Sequence, residues 1–448
     1  MDDDERIQDP DVAAALAKLR AGDLSAADDA KAALGWIAGE NGPEFITQEL
    51  IQQFLWYSLP LKWLTELDHK LAIAAALGRA LELLGLPRYA EICRSETTRG
   101  ILRAYEQDDA EGLKAFHRAD IASGIRPHDL PEFEWGRAMG WEESRALSTT
   151  AELLELAVAS GDLVPGARGW KGRQQQLVRT HLNEPRSELA GQTFAQVILT
   201  ERMEAWLETR RSETRHSILS SIANRLLQPI ELPAETSDPP PTVRWLLEQL
   251  AGGVALTQTG NLNQRFVQDA AARFGWHFSR PPRTEDELYD LRQVRAMAQR
   301  LGLTRRSGRK LALTAKGRAA LADRDGLWRS VARGLLDVRS FGAFAGELFL
   351  ALLVDVDTMT YKELTETIAR AVAEEGFRET RTGDLPSEHD VSRAIHATLN
   401  PCRALGILTE GGTWRDRRYG LTDAGKATAL EALRARATGA RPSPWDRW

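Results

Sequence analysis

The chain has 448 residues, 43% of them apolar and 27% charged, and a formal net charge of −6; the length suits about two to four domains with real apolar cores, and the charge excludes a uniformly basic coat for nucleic acid. Its two cysteines, Cys93 and Cys402, are far apart with no CxxC, which excludes a disulfide framework and a zinc-thiolate site. No apolar run reaches the ~18 residues of a membrane span, the opening MDDDERIQDP lacks the parts of a secretory signal, and Ala, Leu and Arg dominate over Lys, so a bacterial, cytoplasmic protein with no membrane partner is expected.

Residues 1–10 are expected to be disordered and 11–227 to form a helical domain, with a degenerate winged helix left open at 130–182. LDHKLAIAAALGRALELLGL, from Leu67, spaces its apolar residues by three and four and ends at Gly85 and Pro87. Further helices are predicted over Ser95–Glu106, Ala110–Ser123, Glu142–Ser160 and Phe194–Arg210, several opening on Ser, Thr or Asp caps. Trp36, Trp56, Trp63, Trp135, Trp141 and Trp206 fall beside Leu and Ala at helical spacing and read as core anchors. QPIELPAETSDPPPT, residues 228–242, then interrupts helix and ladder alike and reads as a linker.

Two similar paragraphs follow, at 243–330 and 335–436. In the first, VRWLLEQLAGG and NQRFVQDAAARFG read as helices, and TEDELYDLRQVRAMAQRLGL as a third, with Leu288, Leu291, Val294, Ala298 and Leu301 on one face and a capping box from Thr284 to Glu287. LTRRSGRKLALT reads as a hairpin turning at Ser307 and Gly308, and AKGRAAL returns to helix. The second repeats the order: FAGELFLALLVD, TYKELTETIARAVAEEG, then SEHDVSRAIHATLNPCRALGIL capped by Ser387 with Asp390, the hairpin TEGGTWRDRRYGLT, and DAGKATALEALRAR. The tail, 437–448, reads as a frayed terminus, with Trp445 and Trp448 able to dock on the chain or on a second copy, so a homo-oligomer stays open.

The two paragraphs close on the same phrase, LTAKGRAAL at Leu313–Leu321 and LTDAGKATAL at Leu421–Leu430. Leu313 and Leu421 are expected to plug the core, Thr314 and Thr422 to cap the next helix, Gly317 and Gly425 to allow close approach, and Leu321 and Leu430 to re-enter the core. The phrase resembles the wing and post-wing helix of bacterial winged-helix regulators over Thr242–Asp323 and Phe341–Arg436. The stretch ALTQTGNLNQRFVQDAAARFGW through the first hairpin also resembles the C-terminal region of uncharacterised actinobacterial proteins, some related to plasmid-encoded reading frames, and SLPLKWLTELDHKLAIAAALGRALELLGLPRYAEICRSETT resembles proteins of that same group. The resemblance implies a mainly α fold, a helical N-terminal half followed by two winged helices, each with a small β-hairpin wing.

Charge points to a partner for the first copy. Residues 241–330 hold 16 Lys/Arg against 8 Asp/Glu, an excess of +8 that leaves −14 for the rest of the chain. Attraction to phosphate is local over a Debye length of ~8 Å, so this segment alone can face an anion. Arg305, Arg306, Arg309 and Lys310 on the first hairpin and Arg415, Arg417 and Arg418 on the second are candidate phosphate contacts. Arg292, Arg295 and Arg300 add to them from the third helix, with Gln293 and Gln299 as candidate base readers. Against readout by that helix stand Glu285, Asp286 and Glu287 at its opening, and Glu388, His389 and Asp390 in the second copy, which suit a helix dipole but repel phosphate.

No catalytic constellation emerges. Gly420 to Lys426 nearly spells a phosphate loop, but Ala427 stands where Ser or Thr should hold magnesium. Gly166, Gly169 and Gly172 read as a degenerate wing, and His389 with His396 is too sparse for a metal. The pair Gln174 and Gln176 imitates the water-activating Gln-x-Gln of winged-helix DNA glycosylases, though a polar helix face is the plainer reading. No cofactor or metal is expected. The preferred function is a non-enzymatic, DNA-associated regulatory protein with wing-led phosphate contact and a protein partner for the N-terminal half. A protein-protein scaffold and a glycosylase-like enzyme are the alternatives.

Overall fold

The computed structural model describes residues 9–39, 42–236, 240–276, 280–336, 341–413 and 416–442. The protein is mainly helical, with two small antiparallel sheets. The fold separates into two compact units, one from the N-terminus to Val197 and one over Ile198–Arg441. No helix among the described residues is long and apolar enough to cross a membrane.

The first unit stacks helices around Phe54, Leu55, Leu59, Leu77 and Leu81, all buried. Its long helices, Leu67–Leu83, Glu96–Gln107, Asp109–Ser123 and Trp141–Ser160, fall within a residue or two of the predicted spans. Ser95 caps the second of these by accepting from the Thr98 amide, which saves an orphan N–H worth roughly 1 kcal/mol. Trp56 is a core anchor, its indole donating to Thr98 Oγ1 at 2.9 Å. Trp36 and Trp141 are not: they stand 50% and 77% exposed. Helical spacing marks a residue's face but not whether another element covers that face. Across 130–182 the described residues form two helices and one isolated bridge, Leu130 to Phe133, with no strand pair. Gly166 and Gly169 take positive φ in the turns that lead into Trp170–Asn183.

The second unit is built on one continuous apolar core that runs from Met203 to Ala437. Glu213–Leu227 packs into it, as does Ile230 beyond, and Arg434 donates to the Gln228 carbonyl at 3.1 Å. The predicted linker stretch is therefore laid against this unit where it is described; residues 237–239 lie outside the described residues.

Two copies of one arrangement follow. The first runs Pro241–Gln249, Val254–Ala255, Gln264–Phe274, Tyr289–Arg300, the strands Thr304–Ser307 and Lys310–Leu313, then Ala315–Ala322 and Arg324–Arg333. The second runs Phe341–Val354, Met359–Thr360, Tyr361–Glu375, Glu388–Ala404, the strands Leu408–Thr413 and Asp416–Leu421, then Asp423–Thr438. Each sheet has three strands, with the hairpin's second strand in the middle and a two-residue strand on its far side. That short strand, at 254–255 and at 359–360, was invisible in the sequence because two residues show no alternation.

The repeated phrase has the predicted physical cause. Thr314 and Thr422 each accept from the glycine amide three residues on, at 3.0 Å. A Cβ on Gly317 would lie 2.0 Å from the Leu303 carbonyl oxygen, and one on Gly425 would lie 2.1 Å from that of Ile407. Leu313, Leu421 and Leu430 are buried, whereas Leu321 is only half-buried.

A polar cluster ties this core together. Glu347, on the otherwise apolar helix Phe341–Val354, accepts from Arg215 Nη2 at 2.7 Å and Arg436 Nε at 2.6 Å. Arg215 also donates to the carbonyls of Trp206 and Leu207, closing the C-terminal end of the preceding helix.

Candidate functional site

The first hairpin closes on the pair Ser307 and Lys310, so Gly308 and Arg309 form the turn. This corrects the predicted turn at Ser307 and Gly308 by one residue: Gly308, at φ 59°, supplies the left-handed first position of a two-residue hairpin loop. A one-residue shift decides which way the cations point. Arg305 and Lys310 share the outer face of the ribbon, Arg309 sits at its tip, and Arg306 falls on the face that carries Leu311 and Leu313. There its guanidinium lies over Gly260, and its Nε donates to the Gly308 carbonyl at 3.0 Å. All four are exposed, and none has a carboxylate partner among the described residues.

The third-helix cations are used differently. Arg295 is turned inward, with Nη1 on Glu285 at 2.6 Å and Nη2 on the Gly260 carbonyl at 3.1 Å. Arg300 donates to the Gly334 carbonyl at 2.7 Å. Arg292 stays exposed beside Asp286 at 3.5 Å. Gln299 is exposed and Gln293 half-buried.

The acidic opening of that helix is not where the sequence placed it. Residues Glu285–Glu287 form a separate 3-10 turn, and the α-helix begins at Tyr289. Thr284 makes no side-chain cap, which corrects the predicted capping box; Glu287 instead accepts from the Arg283 amide at 2.9 Å. Glu285 is buried and also accepts from the Leu262 amide at 2.6 Å, while Asp286 accepts from Asn261 at 3.0 Å. These acids brace a loop. In the second copy the predicted box holds: Ser387 and Asp390 cap each other's backbone amides.

The two third helices pack against each other. Tyr289 Oη accepts from Asn400 at 3.3 Å, and Asp290 sits near Arg403 and Glu410, its carboxyl raised by burial while Arg403 pulls it back down. Arg403 is ion-paired to Glu410. The face of Tyr289–Arg300 that meets Glu388–Ala404 is thus occupied within the chain.

The second hairpin does not repeat the first one's charge. Strand register sets Leu408 opposite Leu421 and Glu410 opposite Tyr419, just as Thr304 lies opposite Leu313 and Arg306 opposite Leu311. Glu410 therefore occupies the place of Arg306, and Thr409 that of Arg305. Arg418 is exposed and paired with Asp416 at 3.5 Å. Arg417 is exposed at the rim of a cleft of about 440 Å³ shared with Tyr361, Lys362 and His396. Arg415 and Trp414 lie outside the described residues, as do Trp445 and Trp448.

The remaining motifs resolve structurally. Gly420 is in a strand and Lys426 reaches Asp357 at 3.6 Å, so the near phosphate loop is a strand-to-helix turn. Gln174 is buried and donates to the carbonyls of Gly124 at 2.8 Å and Arg126 at 3.0 Å, whereas Gln176 is exposed beside Arg173, so the two do not converge on a water. Cys93 and Cys402 are buried thiols pushed up to about 12 by desolvation, far from the thiolate range that reactivity needs.

Residues 242–326, the first copy from its opening helix into Arg324–Arg333, match the model of the Y4jL N-terminal domain. No curated protein matches the chain, and no solved structure does.

Proposed function

We propose that each copy in the second unit is a winged helix and that the protein is a DNA-associated regulator that grips the phosphate backbone through the first wing. Three helices, a hairpin and a short third strand in the same order twice support the winged-helix reading. The observation that carries the functional reading is the first hairpin: four exposed cations, Arg305, Arg306, Arg309 and Lys310, with no carboxylate of the described residues to neutralise them. Phosphate contact needs no more than exposed, mobile cations, and each phosphate neutralised releases counterions.

The mutual packing of the two third helices bears on specificity. Arg295 and Arg300 are committed to backbone carbonyls, and base readout needs side chains free to reach a groove. Binding should accordingly tolerate sequence changes in the duplex. The second wing, with Glu410 in the place of Arg306, contributes less.

A mobility-shift series in salt tests this. Binding of a duplex of arbitrary sequence should fall steeply as salt rises. Changing Arg305, Arg306, Arg309 and Lys310 together to Ala should reduce the slope of log K against log salt by about 3 to 4, at ~0.9 per phosphate contact. These side chains are solvent-facing, so the variant should keep its thermal midpoint. No binding at low salt would overturn the reading and leave protein docking as the role of these modules.

A further inference from the structure

One of the four cations on the first hairpin is held differently from the rest. The side chains of Arg305, Arg309 and Lys310 make no hydrogen bond among the described residues. Arg306 is tethered: its Nε donates to the Gly308 carbonyl at 3.0 Å, and its guanidinium lies against Gly260, where an added Cβ would come within 3.0 Å of Nη1 and 3.5 Å of Cζ. The residue is exposed and its two Nη groups meet no acceptor among the described residues, so both can donate to an incoming anion.

The surface that Arg306 rests on is braced from behind. Residues 257–261 form a tight turn, in which the Gly260 amide donates to the Thr257 carbonyl at 3.0 Å and the Thr257 amide to that of Asn261 at 2.8 Å. Buried Glu285 holds Arg295, whose Nη2 donates to the Gly260 carbonyl at 3.1 Å, and the same carboxylate accepts from the Leu262 amide at 2.6 Å. On the hairpin's side, the Leu256 amide donates to the Arg309 carbonyl at 2.8 Å, which locks this loop to the hairpin turn. Glycine is required twice at 260. Its φ of 85° lies in the left-handed region that most side chains avoid, and the guanidinium leaves little room for a Cβ. In the second copy the matching strand position holds Glu410, which is paired with Arg403.

We propose that Gly260 is a positioning residue for a phosphate contact: it seats the Arg306 guanidinium in the orientation that takes one phosphodiester of a DNA backbone, while Arg305, Arg309 and Lys310 reach neighbouring phosphates from untethered side chains. This rests on the reading of the first hairpin as the DNA-binding element. A planar fork offers paired N–H groups to two oxygens of one phosphate. Held beforehand, it loses less rotamer freedom on binding than an untethered arginine does. Arg295, a candidate phosphate contact in the sequence, acts through Gly260 instead, by fixing the turn on which Arg306 lies.

The experiment is a double-mutant cycle on the full chain, read as affinity for a duplex of arbitrary sequence along a salt series. Gly260→Asn supplies a residue that tolerates positive φ and places a side chain where the guanidinium rests. It should weaken binding about three- to tenfold, the cost of ordering one long side chain. The slope of log K against log salt should stay unchanged, because Arg306 still reaches its phosphate. Arg306→Ala should lower that slope by about 0.9, and adding Gly260→Asn to it should cost nothing further. In the chain without DNA, NMR relaxation should show the Arg306 Nε–H more ordered than those of Arg305 and Arg309, and Gly260→Asn should abolish the difference. Should the unaltered chain fail to bind at low salt, the DNA reading falls and this proposal with it. If the unaltered chain binds and Gly260→Asn has no effect, or weakens binding equally in the absence of Arg306, or if Arg306 is as mobile as Arg305, this proposal alone is overturned.

Discussion

Glu347 answers two arginines that lie far from it in sequence, Arg215 and Arg436, inside a helix whose other buried positions are apolar or glycine. Taking charges out of water is costly, and the arrangement holds because each carboxylate oxygen and most of the Arg215 guanidinium are satisfied. Removing only the acid leaves Arg215 buried and uncompensated. Glu347→Gln should therefore destabilise the protein by about 3 to 5 kcal/mol in urea denaturation; a loss below about 1 kcal/mol would show that water replaces the carboxylate. His181 makes the opposite kind of prediction, one of pH. Its ring nitrogens lie 2.9 Å from Arg186 and 3.2 Å from Thr149 Oγ1. Burial, then the Arg186 cation, hold it down at about 4, with Glu184 opposing. Its unfolded value is about 6.5, so between those values the unfolded chain binds more protons than the folded one. The neutral ring's contribution is full above pH ~6.5 and is lost as pH falls toward 4. His181→Gln should flatten that part of the stability profile, measured as urea midpoints at pH 7 and pH 5.

At the scale of the element, the turn from each hairpin into the following helix is where sequence and structure agree most closely. Gly317→Ala and Gly425→Ala should each cost about 1 to 3 kcal/mol, because the new Cβ must push against a backbone carbonyl that cannot rotate away. Equal costs would mark the two turns as equivalent, and thermal melts of the single variants measure it. This turn was legible because each of its demands selects one residue type: a hydroxyl to cap, no Cβ at the crossing, a leucine for the core. The helices were legible for the same reason, since their apolar spacing is local. What the sequence hid is tertiary. Thr284 looked like a cap until Arg283 took Glu287 as partner. Arg295 looked like a phosphate contact, but Glu285 and Gly260 hold it.

For the second unit as a whole, the question is whether the two copies are modules on a string or one body. Sequence suggests a string, because the paragraph repeats. The packing argues for one body: the third helices bury faces against each other, Trp328 in the first copy donates to Thr428 in the second at 3.0 Å, and Arg333 pairs with the buried Glu431 at 3.4 Å. Separating the copies would expose Trp328 and strand the Glu431 carboxylate, which is 1% exposed. Burying a large aromatic contributes about 1.5 to 3 kcal/mol, and an unpaired buried charge costs more. Neither copy should then open alone. Native-state hydrogen exchange reads this directly: amides in the centre of Tyr289–Arg300 and of Glu388–Ala404, such as Val294 and Ile395, should report one shared free energy of opening. Trp328→Phe, which removes the indole N–H and leaves a ring in place, should lower both by the same amount. If Ile395 exchanged through an opening about 2 kcal/mol cheaper than that of Val294, or if the substitution moved only one of them, the copies would be independent. The two hairpins would then be free to reorient relative to each other.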